Sequence, residues 1–233
     1  MTPSTSPSER DFYRQYPLYS PAYLTARANG RAISAAANKY IKGSLIDIGC
    51  GKKLKEGLLA RFVTRYVGID HEQTLHGTSA VDRIGTAYHL PAADAEFDSA
   101  LCTAVLEHLE DPSAALSEAF RVLKPGGYAL YTIPLFWHIH EAPRDYFRYT
   151  RFGIEHLFKH SGFEIIMIQP LSGFWVMAGA QLNHYLASTL LRYLVPLIDL
   201  IVASINLLAL LLESLHRDDR WTWMYLVVTK KPG

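Results

Sequence analysis

The run Leu45 to Ile48, apolar except for Asp47, ends directly in Gly49-Cys50-Gly51 and then in Lys52, Lys53 and Lys55. Two glycines at this spacing let a chain reverse sharply at the end of a buried strand. They also let a ligand approach the backbone with no Cβ in the way. No other stretch constrains the fold as strongly. It marks the first strand-to-helix turn of an open α/β sheet, where ligands bind beyond the carboxyl ends of the strands. Tyr66 to Ile69 reads as a second strand ending in Asp70, an acid placed to accept two hydrogen bonds from ribose hydroxyls. A dinucleotide turn would continue to a third glycine, G-x-G-x-x-G, but Leu54 stands there, which disfavours NAD or FAD. Asp47 would oppose a pyrophosphate and suits a cationic group such as an α-ammonium.

The rest of the chain alternates in the same way. Ala22 to Tyr40 is Ala-rich and predicts a helix, and Leu54 to Phe62 has helical spacing. Ala80 to Arg83 is a weak third strand and Phe97 to Cys102 a fourth. Asp111-Pro112 opens a helix at Ser113 that runs to Leu123, where Lys124-Pro125-Gly126-Gly127 stops it. Tyr128 to Ile133 is a fifth strand, Thr150 caps a helix to His160, and Phe163–Ile168 and Trp221–Thr229 are the sixth and seventh strands. This alternation predicts a doubly wound, mostly parallel α/β sheet. A chain of 233 residues fits one large domain. Residues 1–40 read as an N-terminal tail and cap helix, and 41–233 as the domain, with an apolar helical insertion at about 172–216. Residues 1–10 have the composition of a disordered tail; Tyr13, Tyr16 and Tyr19 either form a lid or simply pack.

A net charge of +1 argues against a nucleic-acid partner. The two cysteines, Cys50 and Cys102, are too few for a disulfide framework and read as small buried hydrophobes. The expected location is the cytoplasm, peripheral at the inner face of the membrane, since the first residues lack a signal-peptide core.

Asp47-Ile48-Gly49-Cys50-Gly51, Gly68-Ile69-Asp70 and the stretch LPAADAEFDSALCTAVLEHLEDPSAALSEAFRVLKPGGYALYTIP occur in order over roughly residues 40 to 170. In this the chain resembles the class I S-adenosylmethionine-dependent methyltransferases. The resemblance implies a seven-stranded sheet with an antiparallel last strand, and S-adenosyl-L-methionine as cofactor. By the same resemblance Asp47, Gly49, Cys50 and Gly51 would cradle the methionine part. Asp70 would hold the ribose and His71 flank the adenine. Thr86, Ala87 and Leu90 would line the adenine pocket, and Thr103 would lie near the sulfonium. The family often carries a third glycine where Lys53 stands.

The acceptor-side segment is FWHIHEAPRDYFRYT, residues 136–150, which follows the fifth strand and resembles an H-x-x-P-x-D-Y-x-R-Y-T stretch of the family. His138, His140, Asp145 and Tyr146 are the candidate catalytic groups, the histidines having the unperturbed pKa of a base. The alternative is a loop tied down by its own Arg–Asp and Tyr hydrogen bonds. Glu107-His108 reads as structural. No metal is expected, His138-x-His140 with Glu141 being the one arrangement with ligand spacing. The expected reaction is methyl transfer to a small-molecule or lipid- or sugar-linked acceptor, as O-methylation. The alternative is a non-catalytic partner module, membrane-associated or oligomeric. Tyr193 to Leu212 could span a bilayer with only Asp199 charged. Its flanking strands share one sheet, however, so both ends of the insertion lie on one side. That predicts two helices broken near Arg192 or Pro196, meeting a membrane surface, a second copy in a homodimer, or a greasy acceptor.

Overall fold

The computed structural model describes residues 9–189 and 195–233. The expected disorder of residues 1–10 falls outside the described residues up to position 8; Glu9–Arg14 forms a first helix, α1. The elements that follow are α2 (Tyr23–Tyr40), β1 (Ser44–Ile48), α3 (Glu56–Leu59), β2 (Arg65–Asp70), β3 (Arg83–Ile84) and β4 (Phe97–Thr103). After them come α4 (Pro112–Val122), β5 (Leu123–Pro134), α5 (Arg151–His160), β6 (Glu164–Pro170), α6 (Phe174–Thr189), α7 (Val195–Leu215) and β7 (Met224–Lys230). The strands form one sheet in the order β3-β2-β1-β4-β5-β7-β6. All pairings are parallel except those of β7, which runs antiparallel to both β5 and β6. Strand order reverses between β1 and β4, which opens a crevice at their carboxyl ends.

Alternation along each strand sends side chains to two cores. Leu45 and Leu101 face α2 with Ile33 and Ala37. Ile46, Phe97 and Tyr131 face α4 and α5 with Leu116 and Phe158. Asp111 accepts a hydrogen bond from the Ala114 N–H and caps α4, and Thr150 caps α5 through the Gly153 N–H.

Three boundaries differ from expectation. The helix expected over Leu54–Phe62 contracts to α3, because Lys53 takes a left-handed turn (φ 52°) and the chain turns again where the Phe62 N–H meets the Leu59 carbonyl. The third strand shifts from Ala80–Arg83 to Arg83–Ile84, an edge pairing opposite Ile69 and Asp70. The fifth strand, expected from Tyr128, starts at Leu123: Lys124–Gly127 follows the end of α4, as expected, but is already part of β5 as an irregular extension, where register jumps between Phe97 and Ser99 and Gly126 and Gly127 bond to the backbone of Lys231.

The insertion is a hairpin of α6 and α7. α6 ends at Thr189 and α7 begins at Val195; Arg192 lies outside the described residues, and Pro196 sits in the first turn of α7, where proline is tolerated. The Glu213 carboxylate accepts from the N–H groups of Gly173 and Val176, which satisfies the start of α6. Asn183 Nδ2 donates to Asn206 Oδ1 at 2.8 Å, and Asn206 Nδ2 donates to the carbonyls of Leu18 and Ser20 at 2.6 and 3.2 Å. This seam fixes the hairpin to the N-terminal segment. The outer face of α7 exposes Leu197, Leu200, Leu207, Leu208, Leu211 and Leu215. The window Leu197–Leu215 has a mean hydropathy of 2.0, long and apolar enough to cross a membrane by length and composition.

Candidate functional site

The turn after β1 is held by β2. The N–H groups of Gly49 and Cys50 donate to the Ile69 carbonyl at 2.9 and 3.1 Å, and the Gly51 N–H donates to Asp70 Oδ2 at 2.9 Å. Gly49 and Gly51 both adopt positive φ (71° and 52°), so glycine is required there by conformation. Lys53 does the same without being glycine, at a cost of about 1–2 kcal/mol. Its ammonium pairs at 2.5 Å with Asp82, whose carboxylate also accepts from the Gly68 N–H. An ion pair thus replaces the conformational freedom of a third glycine.

Asp47, at the carboxyl end of β1, is 2% exposed. Tyr66 donates its hydroxyl to Oδ2 at 2.5 Å, while Oδ1 has no hydrogen-bond partner among the described residues. Burial pushes the carboxyl up to about 7, against the Tyr66 hydrogen bond and the charges of Lys55 and Lys53, which act the other way. Lys55 is lowered to about 8 by the same burial. Asp70 accepts from the N–H groups of Gly51 and His71 and from the Thr74 hydroxyl, which aims its carboxylate at the cavity rim. Burial first, then the carboxylates of Asp47 and Asp70, push the Cys50 thiol up to about 12; Cys102 is raised as well, and both are free and buried. Two such thiols behave as small hydrophobes.

These groups border a cavity of about 1130 Å³ at the ends of β1, β2 and β4. Its wall includes Asp47, Gly49, Cys50, Gly51, Asp70, His71, Thr86, Ala87 and Thr103. Leu90 is the exception in that set. It is 2% exposed within the core behind the wall, and its N–H is held by Glu118. Tyr13 and Tyr16 pack on Phe12 away from the cavity, so packing replaces the lid reading for them.

The far end of the cavity is formed by the turn after β4 and the loop after β5, which are neighbours because their strands pair. The Glu107 carbonyl accepts from the N–H groups of Tyr146 and Phe147, and Tyr149 donates its hydroxyl to the Leu106 carbonyl. Arg148 grips Asp145 with two hydrogen bonds, 2.6 and 2.8 Å, and binds the carbonyls of Trp137 and His138. The Arg148 guanidinium holds the Asp145 carboxyl well below the usual range. Asp145 therefore ties the loop together and does not face the cavity. His138 also points away, to Gln181 and His184 of α6. His140 and Tyr146 do line the cavity, Tyr146 donating to Glu110 at 2.7 Å.

Glu107-His108, which the sequence reads as structural, stands beside this end of the cavity. His108 lines the cavity with its ring 4.7 Å from that of His140. Glu107 is fully buried, with neither carboxylate oxygen hydrogen-bonded among the described residues, and burial raises it to about 8. The available signal was an acid and an imidazole just past the end of a central strand. Glu141, Arg144 and His76 complete the rim.

A model of the methyltransferase domain family matches residues 46–131. The chain is 38% identical over 96 residues to a ubiquinone biosynthesis O-methyltransferase of Dinoroseobacter shibae, covering 37% of this chain and 39% of that protein. A ubiquinone biosynthesis O-methyltransferase of Hahella chejuensis is 32% identical over 126 residues, covering 49% of this chain and 50% of the other. The chain spans 28% to 52% of the length of the curated relatives compared. Among solved structures, the [4+2]-cyclase SpnF superposes with a TM-score of 0.60 at 20% identity, covering 97% of both chains. Phosphoethanolamine N-methyltransferase 2 of Haemonchus contortus, in complex with S-adenosyl-L-methionine, gives 0.59 at 18% identity, over 97% of this chain and 60% of that one. At such identities the superpositions establish the fold.

Proposed function

For a chain that carries a methyltransferase domain on the class I, S-adenosylmethionine-dependent fold, we propose that the cavity binds S-adenosyl-L-methionine and that the protein transfers its methyl group to an acceptor hydroxyl. The observation that carries this reading is the Asp47 carboxylate: buried, half unpartnered, and set against two glycines in positive φ. A buried anionic oxygen without a partner is costly. An α-ammonium would satisfy Oδ1, and Gly49 and Gly51 line the cavity beside it. Asp70 accepts the ribose hydroxyls at the rim, with Thr86 and Ala87 against the base.

When bound, S-adenosyl-L-methionine supplies a methyl group on a sulfonium, which already carries a good leaving group. Positioning the acceptor in line is then most of the catalysis, worth about 7–11 kcal/mol in favourable cases. The Arg148–Asp145 clamp does this by fixing the loop that presents His140 and Tyr146. O-methylation is favoured because the acceptor end gathers the lone-pair donors Glu107, His108, His140 and Glu141, and a hydroxyl must lose a proton to react. The ubiquinone O-methyltransferases among the relatives support the same choice.

The apolar face of α7 supports a lipid-linked acceptor met at a membrane surface, since exposed patches of this kind mark interaction sites. Isothermal titration of S-adenosylmethionine and S-adenosylhomocysteine, with and without anionic vesicles, tests the reading. Binding that Asp70→Ala abolishes is expected. No binding by the wild type would leave a non-catalytic module on the same fold.

A further inference from the structure

The acceptor end holds a cluster that hydrogen bonding leaves unfinished. Ligand-type atoms of Glu107, His108 and His140 all lie within 4.8 Å of one another. We propose that these three side chains bind a first-row divalent transition-metal ion facing the acceptor. The proposal differs from the sequence expectation of no metal, and for the ion's role it rests on reading this end as the acceptor side.

The two imidazoles are arranged as ligands. His108 Nδ1 lies 2.6 Å from the Arg144 carbonyl, an acceptor, so this nitrogen carries the proton and Nε2 carries the lone pair. His140 Nδ1 has two oxygen acceptors beside it, the His138 carbonyl at 3.2 Å and Asp145 Oδ2 at 3.4 Å; Arg148 Nη2 also lies 3.4 Å away but donates to those same two oxygens at 2.8 Å, so the proton belongs on Nδ1 and Nε2 is left bare. Metal-bound histidines are oriented in this way, the second ring nitrogen donating to a carbonyl or carboxylate. His108 Nε2 stands 3.9 Å from Glu107 Oε1 and 4.0 Å from Glu141 Oε2.

Glu107 supplies the independent observation. Its side chain is 1% exposed and neither oxygen has a hydrogen-bond partner among the described residues, although an acid so placed ordinarily finds a donor. A cation between it and the two rings would satisfy all three groups at once. Two imidazoles and one carboxylate favour zinc, manganese or iron over magnesium or calcium. Bonds of about 2.0–2.1 Å place tetrahedral ligands roughly 3.3 Å apart, so binding draws the side chains together by small rotations. Three protein ligands leave a position open to the cavity, the arrangement of a reactive rather than a structural site. An acceptor hydroxyl placed there would be acidified by the ion.

The test uses chelator-treated full-length protein titrated with Zn²⁺ by calorimetry and with Co²⁺ by visible absorption. His156 and His160 sit one turn apart on α5 and form a surface pair able to take up metal, so the control is His156→Ala/His160→Ala. Stoichiometric uptake and a tetrahedral Co²⁺ spectrum are expected in the wild type and in that control. Both should be lost in His108→Ala/His140→Ala and in Glu107→Gln. Binding of S-adenosylhomocysteine, measured on each variant, reports folding and separately tests the cofactor reading. Stoichiometric uptake that survives in the His108/His140 variant, or that disappears only in the His156/His160 control, overturns the proposal, as does a wild type that takes up neither ion.

Discussion

The buried carboxylate of Asp47 makes cofactor affinity a function of pH. Burial raises it from 3.8 to about 7, so below neutrality the free protein holds it as the neutral acid. An α-ammonium ligand requires the anion, and binding below pH 7 must therefore release a proton. With a pKa of about 7, roughly one carboxyl in eleven is ionised at pH 6, so affinity falls about tenfold from its plateau, and about a hundredfold at pH 5. At higher pH the ligand's own α-amino group loses its proton in turn, which bounds the affinity from the alkaline side.

Stability of the free protein runs the other way. A raised carboxyl pKa means that the folded state binds more protons than the unfolded state between 3.8 and 7, so stability falls as pH rises through that window. The upper bound is on the order of 4 kcal/mol. Asp47→Asn cannot ionise and keeps an acceptor for Tyr66. It should flatten the acid limb of S-adenosylhomocysteine affinity while remaining weaker than wild type near pH 7.5. It should also melt higher than wild type at pH 8 without ligand. Calorimetry across pH 5–8, in buffers of different ionisation enthalpy, reads both affinity and proton release. An affinity flat from pH 5 to 7, or an acid limb that persists in Asp47→Asn, refutes the reasoning.

Three further outcomes follow from the same structure. Gly49→Ala places a methyl group at φ 71° and against Val105, within 2.5 Å of Cγ2, and should cost about 1–3 kcal/mol in urea melts, with part of that recovered by adding Val105→Ala. Asn206→Leu strands the Leu18 and Ser20 carbonyls and the Asn183 amide, so stability should drop by about 2–4 kcal/mol; an unchanged melting temperature would count against the seam. Glu96 is held down at about 2, chiefly by hydrogen bonds from Arg83, and its stabilising effect is present above 4.5 and lost as pH falls through 2. Glu96→Gln should therefore flatten the acid limb of stability by about 1–2 kcal/mol once solvent screening is allowed for, as urea melts between pH 7 and pH 2.5 would show.

What the chain discloses in its sequence depends on how local the physics is. Buried parallel strands are apolar runs closed by glycine or acid, so β1, β2, β4 and the Asp47–Gly51 turn are readable directly. The contraction of α3 was not, because apolar spacing over Leu54–Phe62 says nothing of a left-handed Lys53 held by Asp82. Asp145 was open between two readings for a related reason: whether an acid faces a cavity or an arginine three residues away is settled by loop geometry, here in favour of Arg148. Glu107 and His108 were visible as residues but not as a site. They meet His140, more than thirty positions later, only because β4 and β5 pair side by side and their carboxyl-end turns share hydrogen bonds.

That loop also explains why two histidines so near in sequence divide their tasks. In extended backbone, residues two apart ordinarily share a side. Here the Arg148 side chain binds the His138 carbonyl while the His140 N–H turns to Asp145, and the two rings stand edge to face with centroids 6.1 Å apart. His138, with Trp137, packs outward on Gln181 and His184 of α6; His140 faces inward toward His108. The same short segment therefore touches the apolar hairpin on one side and the acceptor end of the cavity on the other. The hairpin and the cavity therefore meet through one loop, whose shape the Arg148–Asp145 pair holds.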